Sequence, residues 1–298
     1  MDLDTLCTQF YDYSLIMRGF SPATIRRYKT TITTLRRLGR IDHLEECTNK
    51  RLRDYFYRGR AERKWSVGTF ATYHDTLAVF FQWCVEHGHL PANPIEGIEI
   101  PKRPKPLPRG LSRQDAQLLL EVVQNYPYRM EFERYRNHAL LATILFAGLR
   151  RKEVLGLHVV DVNLEGRSIF VREGKGDKER VVPMGPGLIK ALSTYADARR
   201  RANKTCPQFF TSLTRNTGLS FDGLRTIVRD MQRATGIKFS AHRLRHTFAT
   251  LMLEGGTDIF SISKMLGHSD IKTTTIYLAA SPEHLREQMT KHPLNWQH

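Results

Sequence analysis

Two histidines and two arginines fill four of the five positions from His242 to His246, in the stretch AHRLRHTFAT (residues 241–250). Ser240 is a candidate N-cap and Gly255-Gly256 a stop signal, so residues 241 to about 254 read as roughly four helical turns. On such a helix His242, Arg245 and His246 fall within about 100° of one another, opposite Leu244, Phe248 and Leu251. A solvated face would interleave both signs of charge, yet no acid stands between Ser240 and Leu253. Surface polarity and an anion site both remain open on this stretch alone. A metal site is the weaker reading. His242 and His246 have the i, i+4 spacing of metalloprotease helices, but Arg243 stands where that motif needs a glutamate, and cations beside a dication oppose binding. A guanidinium fork and an imidazole on one helical face suit a phosphodiester better.

Further groups with chemical potential lie along the same half of the chain. In LFAGLRRKEVLGL (145–157) Gly148 breaks a helix, Arg150 follows, and Glu153 stands one helical turn on, where it can orient the arginine. EGKGDKER (173–180) sets Lys175 between two glycines at the tip of a predicted hairpin, where a mobile backbone can deliver an ammonium into a cleft. MLGHSD (265–270) ends a helix at Gly267 and exposes His268 before a new N-cap at Ser269; Tyr277 then falls near the end of a short helix. Taken singly, each has a bland alternative: a surface ion pair, a turn, a C-cap histidine, a packed tyrosine.

The elements that must position these groups fall into two domains. The chain has 298 residues, 41% of them hydrophobic, enough for two ordinary cores. Six prolines between Pro91 and Pro108 forbid helix and mark a linker. Domain boundaries follow: 1–100 helical, 101–110 proline-rich linker, 111–298 carrying the chemistry. Upstream, Ser21-Pro22 and Ser66 open helices with apolar lines Ile25, Tyr28, Ile32, Leu35 and Phe70, Tyr73, Leu77, Phe80, Phe81, Cys84. A shorter helix around Leu52, Tyr55 and Phe56 and an initial one from about Phe10 to Met17 complete a bundle of about four. Downstream, Ser168 to Val171 and Arg180 to Pro183 are β-rich runs of a small antiparallel sheet of about three strands in an otherwise helical domain.

Charge points to the partner. Lys and Arg number 46 against 30 acids, a net +16 and a pI near 9.9, which favours a polyanion, nucleic acid before anionic membrane. Most of the excess is downstream, 30 basic against 18 acidic side chains after Arg103, compared with 16 against 12 up to it. No apolar run of about 18 residues exists and the N-terminus begins acidic, so neither a membrane span nor a secretory leader is expected. Cys7, Cys47, Cys84 and Cys206 show no C-x-x-C spacing and read as buried thiols of a reducing cytosol.

Together and in this order, G-L-R-x-x-E (148–153), G-K-G-x-K-x-R (174–180), H-x-L-R-H (242–246), L-G-H (266–268) and Tyr277 resemble the tyrosine recombinase/phage integrase family. SPATIRRY near residue 21, the linker and the C-terminal EHLREQMTKHPL resemble the Xer-like branch, so the resemblance spans nearly the whole chain. It implies a mainly α, two-domain fold, with a SAM-like core-binding bundle and an α+β catalytic domain with a small antiparallel sheet, forming a C-shaped DNA clamp. It implies a site-specific DNA recombinase in which Tyr277 attacks the scissile phosphate and forms a 3′-phosphotyrosyl link. Arg150 and Arg245 would clamp the non-bridging oxygens, Lys175 would protonate the leaving 5′-oxygen, His242 would assist proton movement at the tyrosine and His268 would donate to a phosphate oxygen. Glu153 would support Arg150 and the histidine, with His246 a packing residue behind them.

No cofactor and no metal are expected, since the phosphotyrosyl bond conserves the phosphodiester energy and no P-loop or clustered acid set is present. The expected partners are double-stranded DNA recombination sites and further copies of the chain, as a tetramer on DNA and a monomer or weak dimer free, with room for a second recombinase or accessory protein. The expected location is cytoplasmic and nucleoid-associated. Two competing readings stand beside this one, a type IB topoisomerase-like relaxase and a DNA-binding accessory integrase without catalysis. Among basic residues, Arg26, Arg27, Arg36, Arg37, Arg225 and Arg229 are candidates for DNA contact.

Overall fold

The computed structural model describes residues 2–102, 110–172, 179–267 and 272–275. The chain forms two compact units, Met1–Lys105 and Pro106–His298. Among the described residues the first contains four α-helices, α1 (Leu3–Ile16), α2 (Pro22–Gly39), α3 (Asn49–Ala61) and α4 (Val67–Glu86), and a short 3-10 helix at Leu44–Glu46. Each begins on a side chain that accepts a backbone N–H of its first turn: Asp2, Ser21, Thr48 and Ser66. Their apolar stripes meet in an aromatic core, in which Phe10 lies 4.9 Å from Tyr28, 5.2 Å from Phe80 and 5.4 Å from Trp83 between ring centroids.

The first helix corrects the expected boundaries. It starts at Leu3 rather than near Phe10, because the Asp2 carboxylate caps it and Leu3, Leu6 and Phe10 are all buried along one stripe. Its end, by contrast, is exposed at Ile16 and Met17. The described part of the proline-rich segment, residues 90–102, is turn and irregular backbone, and residues 103–109 of the expected linker lie outside the described residues.

The second unit is built around α6 (Glu131–Ala147), which is buried on nearly every side through Ala139, Leu140, Leu141, Ala142, Ile144 and Leu145. Against it pack α5 (Arg113–Asn125), α8 (Pro186–Arg201) and α10 (Ala241–Glu254). The remaining helices are α7 (Arg151–Gly156), α9 (Phe221–Thr235), α11 (Ile259–Leu266) and α12 (Lys272–Thr275). A three-stranded antiparallel sheet runs β1 (Val162–Asn163), β2 (Ser168–Val171), β3 (Arg180–Pro183) in that spatial order. Its register pairs Ser168 with Pro183, Ile169 with Val182, Phe170 with Val181 and Val171 with Arg180, so Ile169, Val171 and Val182 enter the core. No described helix is long and apolar enough to cross a membrane. All four cysteines are free and buried.

The α10 helix begins at Ser240, whose hydroxyl accepts from the Arg243 N–H, and ends against Gly255, at the expected bounds. Its polar side is the surprise. Arg245 is 3% exposed, not part of a solvated face, because α6 covers one flank of α10 and α11 the other. A buried guanidinium needs acceptors on every side, and the fold supplies them.

Candidate active site

Three arginines from three elements converge on one carboxylate. Arg150 holds the N-cap position of α7, and Glu153 is the third residue of that helix. The Glu153 carboxylate accepts the Arg150 backbone N–H at 2.7 Å and the Arg150 guanidinium at 2.7 Å, a capping arrangement that orients the arginine as it starts the helix. Arg180, on β3, donates to both carboxylate oxygens, at 3.0 and 2.7 Å. Arg245, on α10, stands 3.8 Å from the same carboxylate. The Glu153 side chain is 1% exposed. Burial alone would push its carboxyl up, but the hydrogen bonds and charge of Arg180, then the backbone and side chain of Arg150, outweigh that and hold it at about 2.

The same arginines also occupy the end of α11. Arg180 Nε donates to the Met265 carbonyl at 2.7 Å, Arg245 Nη2 to Leu266 at 2.6 Å and Arg150 Nη2 to Gly267 at 3.0 Å. The last carbonyls of a helix have no partner within it and carry the negative end of its dipole, so three successive guanidiniums satisfy three successive acceptors. A fourth acceptor, the Gly148 carbonyl, takes Arg245 Nη1 at 2.7 Å. Gly148 closes α6 with φ +62°, and a Cβ there would lie 2.4 Å from the Phe248 ring, so only glycine lets α6 end this close to α10.

Arg150 is the guanidinium of the set most open to solvent, its side chain 26% exposed against 8% for Arg180 and 4% for Arg245. His242 lies on the exposed side of α10, and its Nε2 is 2.9 Å from His246 Nε2, so one ring donates and the other accepts. Burial, then Arg245 and Arg150, lower the His242 pKa; burial, then His242 and Arg245, bring His246 down to about 4. Both imidazoles are therefore neutral at pH 7.

The structure thus brings together Arg150, Glu153, Arg245, His242 and His246 from the expected set. Lys175, His268 and Tyr277 lie outside the described residues. The strands that flank Lys175 are described: Val171 and Arg180 form the last pair of the β2–β3 ladder before residues 172–179. Tyr195, another tyrosine of the second unit, is fully buried, its hydroxyl committed to the Phe209 carbonyl and the Thr211 N–H. Arg180 is the site residue that the sequence pattern does not single out, although it closes the G-K-G-x-K-x-R run (174–180) and opens β3. Concavity alone does not find this site either. A cavity of about 700 Å³ lies elsewhere in the unit, between Tyr128, Ser220 and Met231, and its buried Arg136 is engaged by Asn137 and the Thr211 carbonyl.

Comparison with known proteins identifies the family of the chain. Residues 110–284 match the phage integrase family, and residues 6–88 match the phage integrase N-terminal SAM-like domain. The chain belongs to the phage integrase family and is a tyrosine site-specific recombinase. Among its relatives, the tyrosine recombinase XerC of Corynebacterium glutamicum is 32% identical over 98% of this chain and 92% of its own length. The tyrosine recombinase XerC of Escherichia coli is 30% identical over 95% of this chain and 94% of its own. Two solved structures share the fold. XerH recombinase bound to palindromic difH substrate is 22% identical with a TM-score of 0.75, covering 97% of this chain and 83% of that one. A lambda integrase dimer bound to a COC′ core site is 20% identical with a TM-score of 0.72, covering 92% and 97%.

Proposed function

We propose that this recombinase cuts and rejoins duplex DNA at paired recombination sites through a 3′-phosphotyrosyl intermediate on Tyr277. The observation that carries the reading is the meeting of Arg150 and Arg245, from different elements, at the Glu153 carboxylate and at adjacent carbonyls of α11. Two guanidiniums fixed in this way are preorganised donors for a phosphodiester whose non-bridging oxygens gain charge as the fifth bond to phosphorus forms. A phenol with a pKa near 10 is a poor nucleophile at neutral pH, so it needs this cationic surrounding.

In the proposed step the Tyr277 oxygen bonds to phosphorus as the bond to the 5′-oxygen breaks. The phenolic proton passes toward His242, whose depressed pKa leaves it neutral and able to accept. Lys175 gives its proton to the departing 5′-oxygen, and His268 donates to a non-bridging oxygen. Attack of a 5′-hydroxyl on the phosphotyrosine reverses each transfer and reseals a strand, so no nucleotide is consumed. Glu153 keeps the two arginines in place. His246 fixes the His242 ring by the bond between their Nε2 atoms. The domain assignment is part of the same proposal, with residues 1–100 binding DNA, 101–110 linking and 111–298 catalysing.

Four such centres act on two sites, so the assembled form is a tetramer on DNA, and the location is the cytoplasmic nucleoid. Neutralisation of many phosphates makes binding steeply salt-dependent. On the first unit Arg26, Arg27 and Arg37 are exposed and open to DNA, whereas Arg36 is held by Asp4 and Asp42. On α9 Arg225 pairs with Asp222, and Arg229 lies 3.8 Å from Asp230.

The test is covalent capture. Fragmented DNA from the source cell, incubated with the protein and quenched in detergent, yields adducts whose sequenced ends define the site. A nicked duplex built on that site should trap the parent protein, and Tyr277→Phe should bind the duplex and form no adduct. An adduct retained in Tyr277→Phe, or none in the parent, overturns the proposal. Relaxation of a supercoiled plasmid lacking the site would favour a topoisomerase-like activity instead.

A further inference from the structure

The third arginine of the cluster is the one outside the phosphate clamp. Arg180 uses three donors on three fixed acceptors, both oxygens of Glu153 and the carbonyl of Met265. Its side chain is 8% exposed, enclosed by these acceptors. The fold also leaves room for it. Gly267 adopts φ +65°, and a Cβ there would lie 2.9 Å from Arg180 Nη1 and 3.0 Å from its Cδ. Arg180 thus ties together three pieces of backbone that, among the described residues, no regular hydrogen-bond ladder connects: the start of α7, the end of α11, and β3.

We propose that Arg180 is a positioning residue for strand cleavage. By holding Glu153 and the Met265 carbonyl it sets where Arg150 and Arg245 stand, and where the chain departs from α11 toward His268 and Tyr277. A lysine cannot replace it, since a single ammonium does not span a carboxylate in bidentate fashion and reach a carbonyl on another element. The proposal rests on the reading of Arg150, Arg245 and Tyr277 given above, and its action runs through Glu153. Among the described residues the charged groups that face Glu153 are Arg150 from its own turn, Arg180 from β3 and Arg245 from α10.

The experiment uses the full chain and the nicked duplex built on the captured site, with Arg180→Met, Arg180→Lys, Glu153→Gln and the Arg180→Met/Glu153→Gln double variant. Duplex affinity, the single-turnover rate of adduct formation and its pH profile are measured together, with thermal melting to correct for unfolded protein. Arg180→Met should bind the duplex within about threefold of the parent and form adduct about 10- to 100-fold more slowly, the cost of a displacement on the order of 1 Å. Its rate should fall on the acid side at a pH where the parent is still level, because Glu153 loses the partner that does most to keep it ionised. Arg180→Lys should recover part of the rate. In the Glu153→Gln background Arg180→Met should cost less than it does alone, because the shared partner is already gone.

Parental rate and pH profile in folded Arg180→Met would overturn the proposal, as would full additivity in the double variant. A loss fully explained by unfolded protein would assign Arg180 to stability alone. If Arg180→Met does not fold, the rate and acid limb of Arg180→Lys decide the matter in the same way. Absence of adduct in the parent would instead count against the reading of Tyr277, so the two failures are distinguishable.

Discussion

Arg36 in the first unit and Glu153 in the second are each shared among partners of opposite charge, with opposite stoichiometry and opposite burial. Arg36 reaches Asp4 at 2.6 Å and Asp42 at 3.0 Å, one cation between two acids, with the side chains 34%, 69% and 60% exposed. Glu153 is one acid among three cations, and its side chain is 1% exposed. Water screens the first network, which therefore contributes little to stability and constrains little. In the second, the carboxylate and two of its three guanidiniums are shielded from water, each group depends on the others for its solvation, and removal of one leaves buried charge poorly compensated. The surface network decorates a bundle that aromatic packing already holds. The buried one fixes polar side chains from α7, β3 and α10 relative to one another, beside a core to which Val154, Val182 and Leu244 of the same elements contribute.

The contrast can be broken most sharply at its centre. Glu153→Gln keeps the shape but removes the negative charge that the three arginines share, and should cost about 3–5 kcal/mol of stability. Thermal melting checks the loss, and added inorganic phosphate should raise the melting temperature of this variant more than that of the parent, because an anion then replaces the missing charge. An unchanged melting temperature would mean that the arginines are solvated independently of Glu153.

Acid should separate the two units by a smaller margin. His138, His242 and His246, all in the second unit, have pKa values depressed by burial, His246 to about 4 from an ordinary 6.5. The unfolded chain therefore takes up protons first, so the stability these residues contribute is complete above pH 6.5 and is lost as pH falls toward 4. Glu153 adds a second window, from about 4.5 down to about 2. Hydrogen exchange should show amides of α6 and α10 losing protection between pH 6.5 and 4 before those of α4 do. Equal loss in both units would contradict the difference in burial.

The smallest effect belongs to the exposed network. Arg36→Ala should change the stability of the first unit by no more than about 1 kcal/mol, and raising the salt should erase most of that. A larger, salt-insensitive loss in chemical denaturation would show that Arg36 acts through packing of its stem.

Much of this was legible in the residues before any fold was known. Serine and threonine caps, proline at a first helical position and apolar spacing are local signals, and they located α2, α4, α10 and the β2–β3 pair closely. The helix α1 starts earlier than the expected Phe10, because the Asp2 carboxylate caps it and Leu3 and Leu6 are buried on the same stripe as Phe10. Within the site, the order of Arg150, Glu153, Lys175, His242, Arg245, His268 and Tyr277 carried the family resemblance, and Glu153 beside Arg150 followed from helical spacing alone.

What sequence order could not convey was which side of α10 faces inward and who holds whom. Helical periodicity groups Arg245 with His242 and His246 on a polar face, yet only the packing of α6 and α11 on either side of α10 makes that arginine a buried anchor for Gly148 and Leu266. Arg180 lies 27 positions from Glu153 and 85 from Met265, so its role depends on chain segments that meet only when the second core closes. Local chemistry is written in short-range spacing because caps and turns act over a few residues. The sharing of one carboxylate by three guanidiniums is a long-range solution to a desolvation cost that exists only once water has been removed.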